Sequence, residues 1–286
     1  MANLKEIRNR ISSVTSTMKI TSAMKMVSAA KLKKAQDAIT AMKPYSEKLT
    51  DLMSNFSDII SSSSISYLSE TRDVENVLVV SICSNKGLCG AFNSNVIKQS
   101  ISLKNQDQYK GANFSYLTIG KKANDILSKT ENIISNHSDV YDNLVYDEVA
   151  NVSEKIVEEF SLGNFDKVLI VFNSFKNAAN QIVKTEQFLP IESLDETNKT
   201  GDYIFEPSME QIVSELVPKS LKIQLFKSIR DSFAGEHGAR MTAMHKATDN
   251  ATELRDELKL TYNKARQAAI TNEILEIVSG AEALNG

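Results

Sequence analysis

Between Ala2 and Pro44 the chain contains neither glycine nor proline, and its apolar residues recur every three or four positions. Leu4, Ile7, Ile11, Val14 and Met18 occupy the a and d positions of a heptad, the stripe by which one helix packs along another. The stripe continues through Met24, Val27, Leu32, Ala35, Ile39 and Met42, with small Ala23, Ala29 and Ala30 between them. Strict registry is therefore expected to loosen into an alanine-rich surface that a partner can approach closely. A helix from residue 2 to about 56 would be roughly 80 Å long at ~1.5 Å per residue. A compact globule of this chain length has a radius of gyration of only ~19 Å. The segment is predicted to extend as a rod.

A rod needs a partner, and the other end of the chain supplies one. Met244, Ala247, Ala251, Leu254, Leu258, Tyr262 or Thr261, Ala265 and Ala269 repeat at close to heptad spacing, and Ile274, Ile277, Val278, Ala281 and Leu284 carry the pattern onward. One helix leads into the middle of the chain and the other leads out, so the two are predicted to pair antiparallel. The organisation expected is an amino-terminal helix over 1–60, an α/β domain over 74–200 and a carboxy-terminal helix over 208–286.

Charge is distributed unevenly. The net formal charge is −3, yet up to Lys48 ten bases face only Glu6, Asp37 and Glu47. A basic rod on an acidic chain suits nucleic acid, anionic lipid or an acidic protein surface. The first 44 residues hold no aromatic on which a base could stack, which disfavours nucleic acid. The large apolar side chains are claimed by the helix seam, which disfavours lipid. An acidic protein partner is the favoured reading. No apolar run is long enough to cross a membrane, and MANLKEIRNR lacks a signal core, so a cytosolic location is expected. Cys83 and Cys89 alone cannot build a disulfide framework.

The middle of the chain alternates strand and helix patterns. Val77–Cys83, Phe114–Gly120, Val168–Phe172 and Gln181–Pro190 read as strands, the last as an edge. Asn95–Leu103, Lys121–Lys129 and Val149–Phe160 read as helices between them. This order predicts a small, mostly parallel, Rossmann-like α/β sheet. Pro190, Pro207 and Pro218 mark Ile191–Pro218 as an irregular connection into the second long helix.

The turn Ser84–Asn93 lies where α/β folds bind phosphate, after a strand and before a helix. Its Gly87-Leu88-Cys89-Gly90 core matches neither phosphate-loop pattern, and Lys86 precedes the glycines. Glycines for a tight turn explain it better than a nucleotide site. His237 and His245 do not form an H-E-x-x-H pair, and the cysteines have no second pair to complete a zinc site. No catalytic residue, metal ligand or cofactor is expected of this chain.

Three stretches carry a family resemblance. KIT-x-AM-x-MV-x-AAKL-x-KAQ within Ile7–Gln36 resembles the amino-terminal helix of the gamma subunits of F-type ATP synthases. ARM-x-AM-x-x-ATDNA and YN-x-ARQAAIT-x-EI-x-EIVSGA, between Ala239 and Ala281, are similar to that family's carboxy-terminal helix, and SNKGLCGAFNSN to its signature turn. The resemblance implies a rotor shaft, an antiparallel coiled coil inside a ring of three alpha and three beta subunits. Its α/β domain would sit with epsilon against the membrane ring of c subunits, on the cytoplasmic face of the cell inner membrane. The shaft would couple transmembrane proton flow to ATP synthesis or hydrolysis at beta-subunit sites. Carried over by position, Met24 and Lys25 meet the acidic lever loop of beta, and Arg240, Gln267 and Thr271 touch the ring. Tyr203, Glu206 and Pro207 match the contact with the c ring. Arg8, Arg10, Lys19, Lys25, Lys31 and Lys33 are expected to form a shallow electrostatic track for successive acidic loops, and Ile277, Val278, Ala281 and Leu284 an apolar bearing tip. Two departures stand out: Asn85-Lys86 replaces the family's usual Asp-Arg, and Gly238 puts a helix-weakening residue beside the ring contact. From the residues alone, a coiled-coil tether with an α/β head, or an α/β enzyme with helical appendages, remain as alternatives.

Overall fold

A computed structural model of the chain describes residues 4–55, 65–191, 206 and 208–285. The chain forms two compact units, one of residues 1–28 with 241–286 and one of residues 29–240. Two long helices contribute to both: α1 (Leu4–Asn55) and α6 (Met209–Asn285).

In the larger unit, five strands form one sheet. They are β1 (Asn76–Ile82), β2 (Asn113–Ile119), β3 (Asn132–Asn136), β4 (Lys167–Phe175) and β5 (Gln181–Leu189), in spatial order β3-β2-β1-β4-β5. The first four run parallel, and β5 closes the edge antiparallel to β4. The helices between them are α2 (Phe92–Ser102), α3 (Lys121–Leu127), α4 (Ser138–Asp142) and α5 (Tyr146–Ser161). Central β1 is apolar on both faces because both are covered. Val77 and Val79 join α2 and α3 through Val96, Ile97, Ala123 and Leu127. Leu78, Val80 and Ile82 point the other way, into a core shared with Val152, Ile156 and Phe160 of α5 and Val213, Val217, Leu221 and Leu225 of α6. Burying each such side chain contributes ~1.5–3 kcal/mol over leaving it in water.

Two readings of the sequence need correction here. The stretch up to Pro218 is not all irregular, since α6 begins at Met209 and Pro218 lies inside it. Val213, Val217 and Leu221 are buried at helical spacing on either side of the proline, and that packing outweighs the backbone hydrogen bond the proline removes. Strand β3 was not legible as a strand. Its apolar pair, Ile133 and Ile134, is adjacent rather than alternating, and asparagines flank it.

In the smaller unit, α1 and α6 run antiparallel. Arg8 donates to the Tyr262 hydroxyl at 2.7 Å, Thr21 and Thr248 share a hydroxyl hydrogen bond at 2.8 Å, and the Arg255 guanidinium reaches the Met18 sulfur at 3.4 Å. Along α1 the seam does not loosen after Met18. Buried or half-buried positions follow as Thr21, Lys25, Ser28, Leu32, Ala35, Ile39, Met42, Ser46 and Leu49, at spacings of three and four throughout. Val27, expected in the seam, is 57% exposed. Small polar residues hold core positions because their hydroxyls are satisfied, Thr21 by the Met18 carbonyl and Thr248, Ser46 by the Lys43 carbonyl. By this register α1 begins opposite the residues just after Tyr262, and every described position of α6 from Arg266 to Ala283 is exposed.

Candidate functional site

The strand order reverses between β1 and β4, the place where doubly wound sheets hold ligands at the carboxyl ends of their strands. Here the chain itself fills that crevice. Gly235 and Gly238 allow α6 to lie against it. A Cβ on Gly238 would come within 3.2 Å of the Ala178 Cα, and one on Gly235 within 3.3 Å of Phe92 and Gln181 side-chain atoms. Gly238, read from sequence as a weak point of the helix, is a site of close approach.

The turn after β1 is pinned at its base by side chains. Asn93 accepts from the Ser84 N–H at 2.9 Å and donates to the Ser84 hydroxyl at 2.8 Å, and that hydroxyl donates to the Lys86 carbonyl at 2.7 Å. Asn85 reaches outward, accepting from the Lys121 N–H and donating to the Ser138 carbonyl. At its apex the turn offers carbonyls rather than amides. Arg240 of α6 donates through Nη2 to the Lys86 and Gly87 oxygens at 3.0 and 3.2 Å, and through Nε to Gly87 at 3.4 Å. Its Nη1 pairs with the Glu236 carboxylate and faces Nδ1 of His237 at 3.5 Å. A phosphate loop turns backbone N–H groups toward an anion. This turn does the reverse and receives a guanidinium.

Glu236 and Arg240 are 5% and 7% exposed. A buried ion pair endures when its remaining polar atoms are bonded, and the two turn carbonyls serve that purpose for Arg240. His237 stacks edge-on against Phe233 with centroids 4.5 Å apart. Burial, and then the charges of Arg240 and Lys31, lower its pKa from 6.5 to about 4. The neutral ring faces a donor at Nδ1, which assigns its proton to Nε2. Burial pushes the Cys83 and Cys89 thiols up, so neither is a ready thiolate. Among the described residues no group of three or more His, Cys, Asp or Glu is placed to share a metal ion, and no helix is long and apolar enough to cross a membrane.

A depressed folded-state value has a definite consequence for pH. As pH falls the unfolded chain takes up the His237 proton first, so this group's contribution is complete above about pH 6.5 and is lost progressively toward about pH 4. Denaturant titrations across that window should show a shallower loss of stability for His237→Gln than for the native chain. Parallel losses would contradict the assignment.

The residues singled out from sequence fall in different surroundings. Arg10, Lys19, Lys31, Lys33, Gln267 and Thr271 are exposed, and Met24 and Lys25 half-buried. Arg8 is exposed but engaged with Tyr262, its guanidinium also lying 5.7 Å from the ring centroid. Ile277 and Val278 are 66% and 54% exposed. Glu206 is exposed; Tyr203 and Pro207 lie outside the described residues. Among those that are described, Arg240 alone is buried, far along the chain from the turn it grips. The Glu236–Arg240 pair is signalled in the sequence only by carboxylate and guanidinium at i and i+4, with one glycine just before them and one between.

Fold and clamp define a class: an α/β protein whose ligand crevice is closed by its own last helix, and whose terminal helices pair antiparallel with a basic, exposed face. The family model described as ATP synthase matches residues 3–284. The chain is 64% identical over 289 residues to the ATP synthase gamma chain of Flavobacterium psychrophilum and 63% identical over 289 residues to that of Flavobacterium johnsoniae, covering 100% of both partners in each case. Its fold is similar to a chain in the cryo-EM structure of the Euglena gracilis mitochondrial ATP synthase OSCP/F1/c-ring in rotational state 3, with a TM-score of 0.68, 20% identity and coverage of 98% of this chain and 94% of that one. The chain belongs to the ATP synthase gamma-chain family. It is accordingly a subunit of the synthase complex and not the one that performs catalysis.

Proposed function

We propose that this chain turns as the central shaft of an F1 sector, coupling rotation driven by transmembrane proton flow to ATP synthesis or hydrolysis at sites on surrounding subunits. The observation that carries this reading is the full-length match to gamma chains at 64% identity. The partners proposed are three alpha and three beta subunits in a ring, with epsilon and a ring of c subunits at the other end. The location proposed is peripheral, on the cytoplasmic face of the cell inner membrane.

The physical basis is asymmetry. One helix pair inside a pseudo-threefold ring meets each beta subunit differently, so every angular position favours a different conformation at each site. Coupling of torque to affinity then follows from differential contact. Exposed ion pairs contribute ~0–1 kcal/mol each and are screened beyond ~8–10 Å. Contacts that weak can guide acidic loops without arresting rotation. Arg10, Lys19, Lys25, Lys31 and Lys33 form this track together with Arg8, and Met24, Gln267 and Thr271 are further ring contacts. Tyr203, Glu206 and Pro207 are the proposed contacts with the c ring.

Co-expression with alpha and beta subunits tests the reading through complex size and ATPase activity. Replacing the five track bases other than Arg8 with glutamine should leave assembly intact and lower the proton pumping obtained per ATP hydrolysed. Normal coupling would remove the track. Arg8 is spared so that its bond to Tyr262 survives. Val278→Lys should leave the stability of the isolated chain within ~0.5 kcal/mol of native, since the side chain is exposed, and should slow rotation in the assembled complex. Unchanged rotation would rule out the apolar bearing.

A further inference from the structure

Tyr141 of α4 and Ser232 and Glu236 of α6 bring polar side chains to one place in the interior. They are 3%, 0% and 5% exposed. Ser232 and Glu236, at i and i+4, share one face of their helix. Tyr141 is held beside that face by its ring contact with Phe233, the centroids 5.7 Å apart. The Glu236 carboxylate and the Ser232 hydroxyl both act on the Tyr141 hydroxyl, as does the Cys83 thiol one residue past β1. The cluster therefore lies at the carboxyl end of β1, where the strand order reverses.

The chain does not satisfy these groups by itself. The Tyr141 hydroxyl, Ser232 Oγ and Glu236 Oε2 are buried, and among the described residues none meets a hydrogen-bond partner at bonding geometry. The ion pair sharpens the imbalance. Arg240 pairs with Oε1 of Glu236 and gives its other donors to the turn carbonyls, whereas Oε2 of the same carboxylate accepts nothing from those residues. A buried carboxylate oxygen without a donor is costly, and buried hydroxyls without partners add to that cost. Burial, and then the Glu236 charge, raises the Tyr141 pKa well above its ordinary value, so the hydroxyl keeps its proton and can donate.

We propose that one internal water molecule bridges Tyr141, Ser232 and Glu236 and completes the pairing of the buried carboxylate. Its oxygen accepts from the two hydroxyls, and one of its protons goes to Glu236 Oε2. Internal waters make about three hydrogen bonds each, which is the number of partners that converge here. A metal cation fits less well, because Arg240 already neutralises the carboxylate. The crevice that doubly wound sheets use for ligands thus keeps a polar site of solvent size under α6.

A crystal structure of the full-length native chain is the first test, and its outcome does not depend on any variant folding. A solvent peak within hydrogen-bond distance of all three atoms is expected. Direct bonds from Tyr141 and Ser232 to Glu236, with no solvent peak between them, would overturn the proposal. A peak that turns into an anomalous scatterer in crystals soaked in rubidium chloride would overturn it too, since the occupant would be a cation. In solution, magnetic relaxation dispersion of isotopically labelled water counts waters held longer than the protein tumbles. The Tyr141→Phe, Ser232→Ala double variant should hold one such water fewer than the native chain, with unchanged circular dichroism as the control for folding. An equal count in native chain and folded variant would contradict the bridge.

Discussion

Gly120→Ala should lower the melting temperature of the isolated chain by ~10 °C or more, the largest single-site loss expected here. Gly120 joins β2 directly to α3 with φ 105° and ψ 134°, a region that residues with a Cβ avoid. The added Cβ would lie 2.0 Å from the Cys83 carbonyl oxygen and 2.7 Å from its carbon. Both sides of that clash are backbone, so no rotamer change relieves it. The surrounding hydrogen bonds tie β1 to β2, with the Cys83 N–H donating to Ile119 at 2.9 Å and the Lys122 N–H to Ser84 at 3.1 Å. Moving Gly120 away from Cys83 disturbs those bonds as well. Backbone strain of ~1–3 kcal/mol and overpacking of a similar ~1–3 kcal/mol form a large part of a total stability of ~5–15 kcal/mol. A shift of ~2 °C or less in calorimetry would mean that the β1–β2 junction is softer than described.

The second large effect is expected from Glu236→Gln. The substitution keeps the shape of the side chain and removes the only carboxylate, among the described residues, that pairs with buried Arg240. Leaving a buried charge without its partner typically costs ~3–5 kcal/mol, far more than an exposed pair contributes. Urea unfolding should show this as a fall in midpoint at unchanged slope. A loss below ~1 kcal/mol would mean that the turn carbonyls alone suffice for the guanidinium, and that the clamp does not depend on Glu236.

Much of this architecture was legible because it follows simple periodicities. Val77–Cys83 reads as a buried apolar strand, and the structure makes Asn76–Ile82 a strand covered on both faces. The apolar positions Leu4 to Met18 predicted a seam, and those residues form it. Val27 is apolar yet falls outside the seam, because the three–four count passes it by. Keeping the three–four rhythm leads to Thr21, Lys25 and Ser28, and those are the positions that pack. Their suitability depends on hydroxyl partners, such as Thr248 for Thr21, that lie more than two hundred residues away. The clamp was hidden for the same reason. Arg240 acts on Lys86 and Gly87, and only the folded chain brings a helix from one end against a turn near the other. Gly238 shows the converse: its local propensity cost is visible in the sequence, and the tertiary contact that requires glycine is not.

The central claim is that this chain rotates within a ring, and watching it turn is the direct measurement. Complexes with alpha and beta subunits, fixed to a surface by the ring and carrying a probe on this chain's α/β unit, should show stepwise, one-way rotation when ATP is added. ATP hydrolysis by the same complexes with the probe stationary would contradict the account.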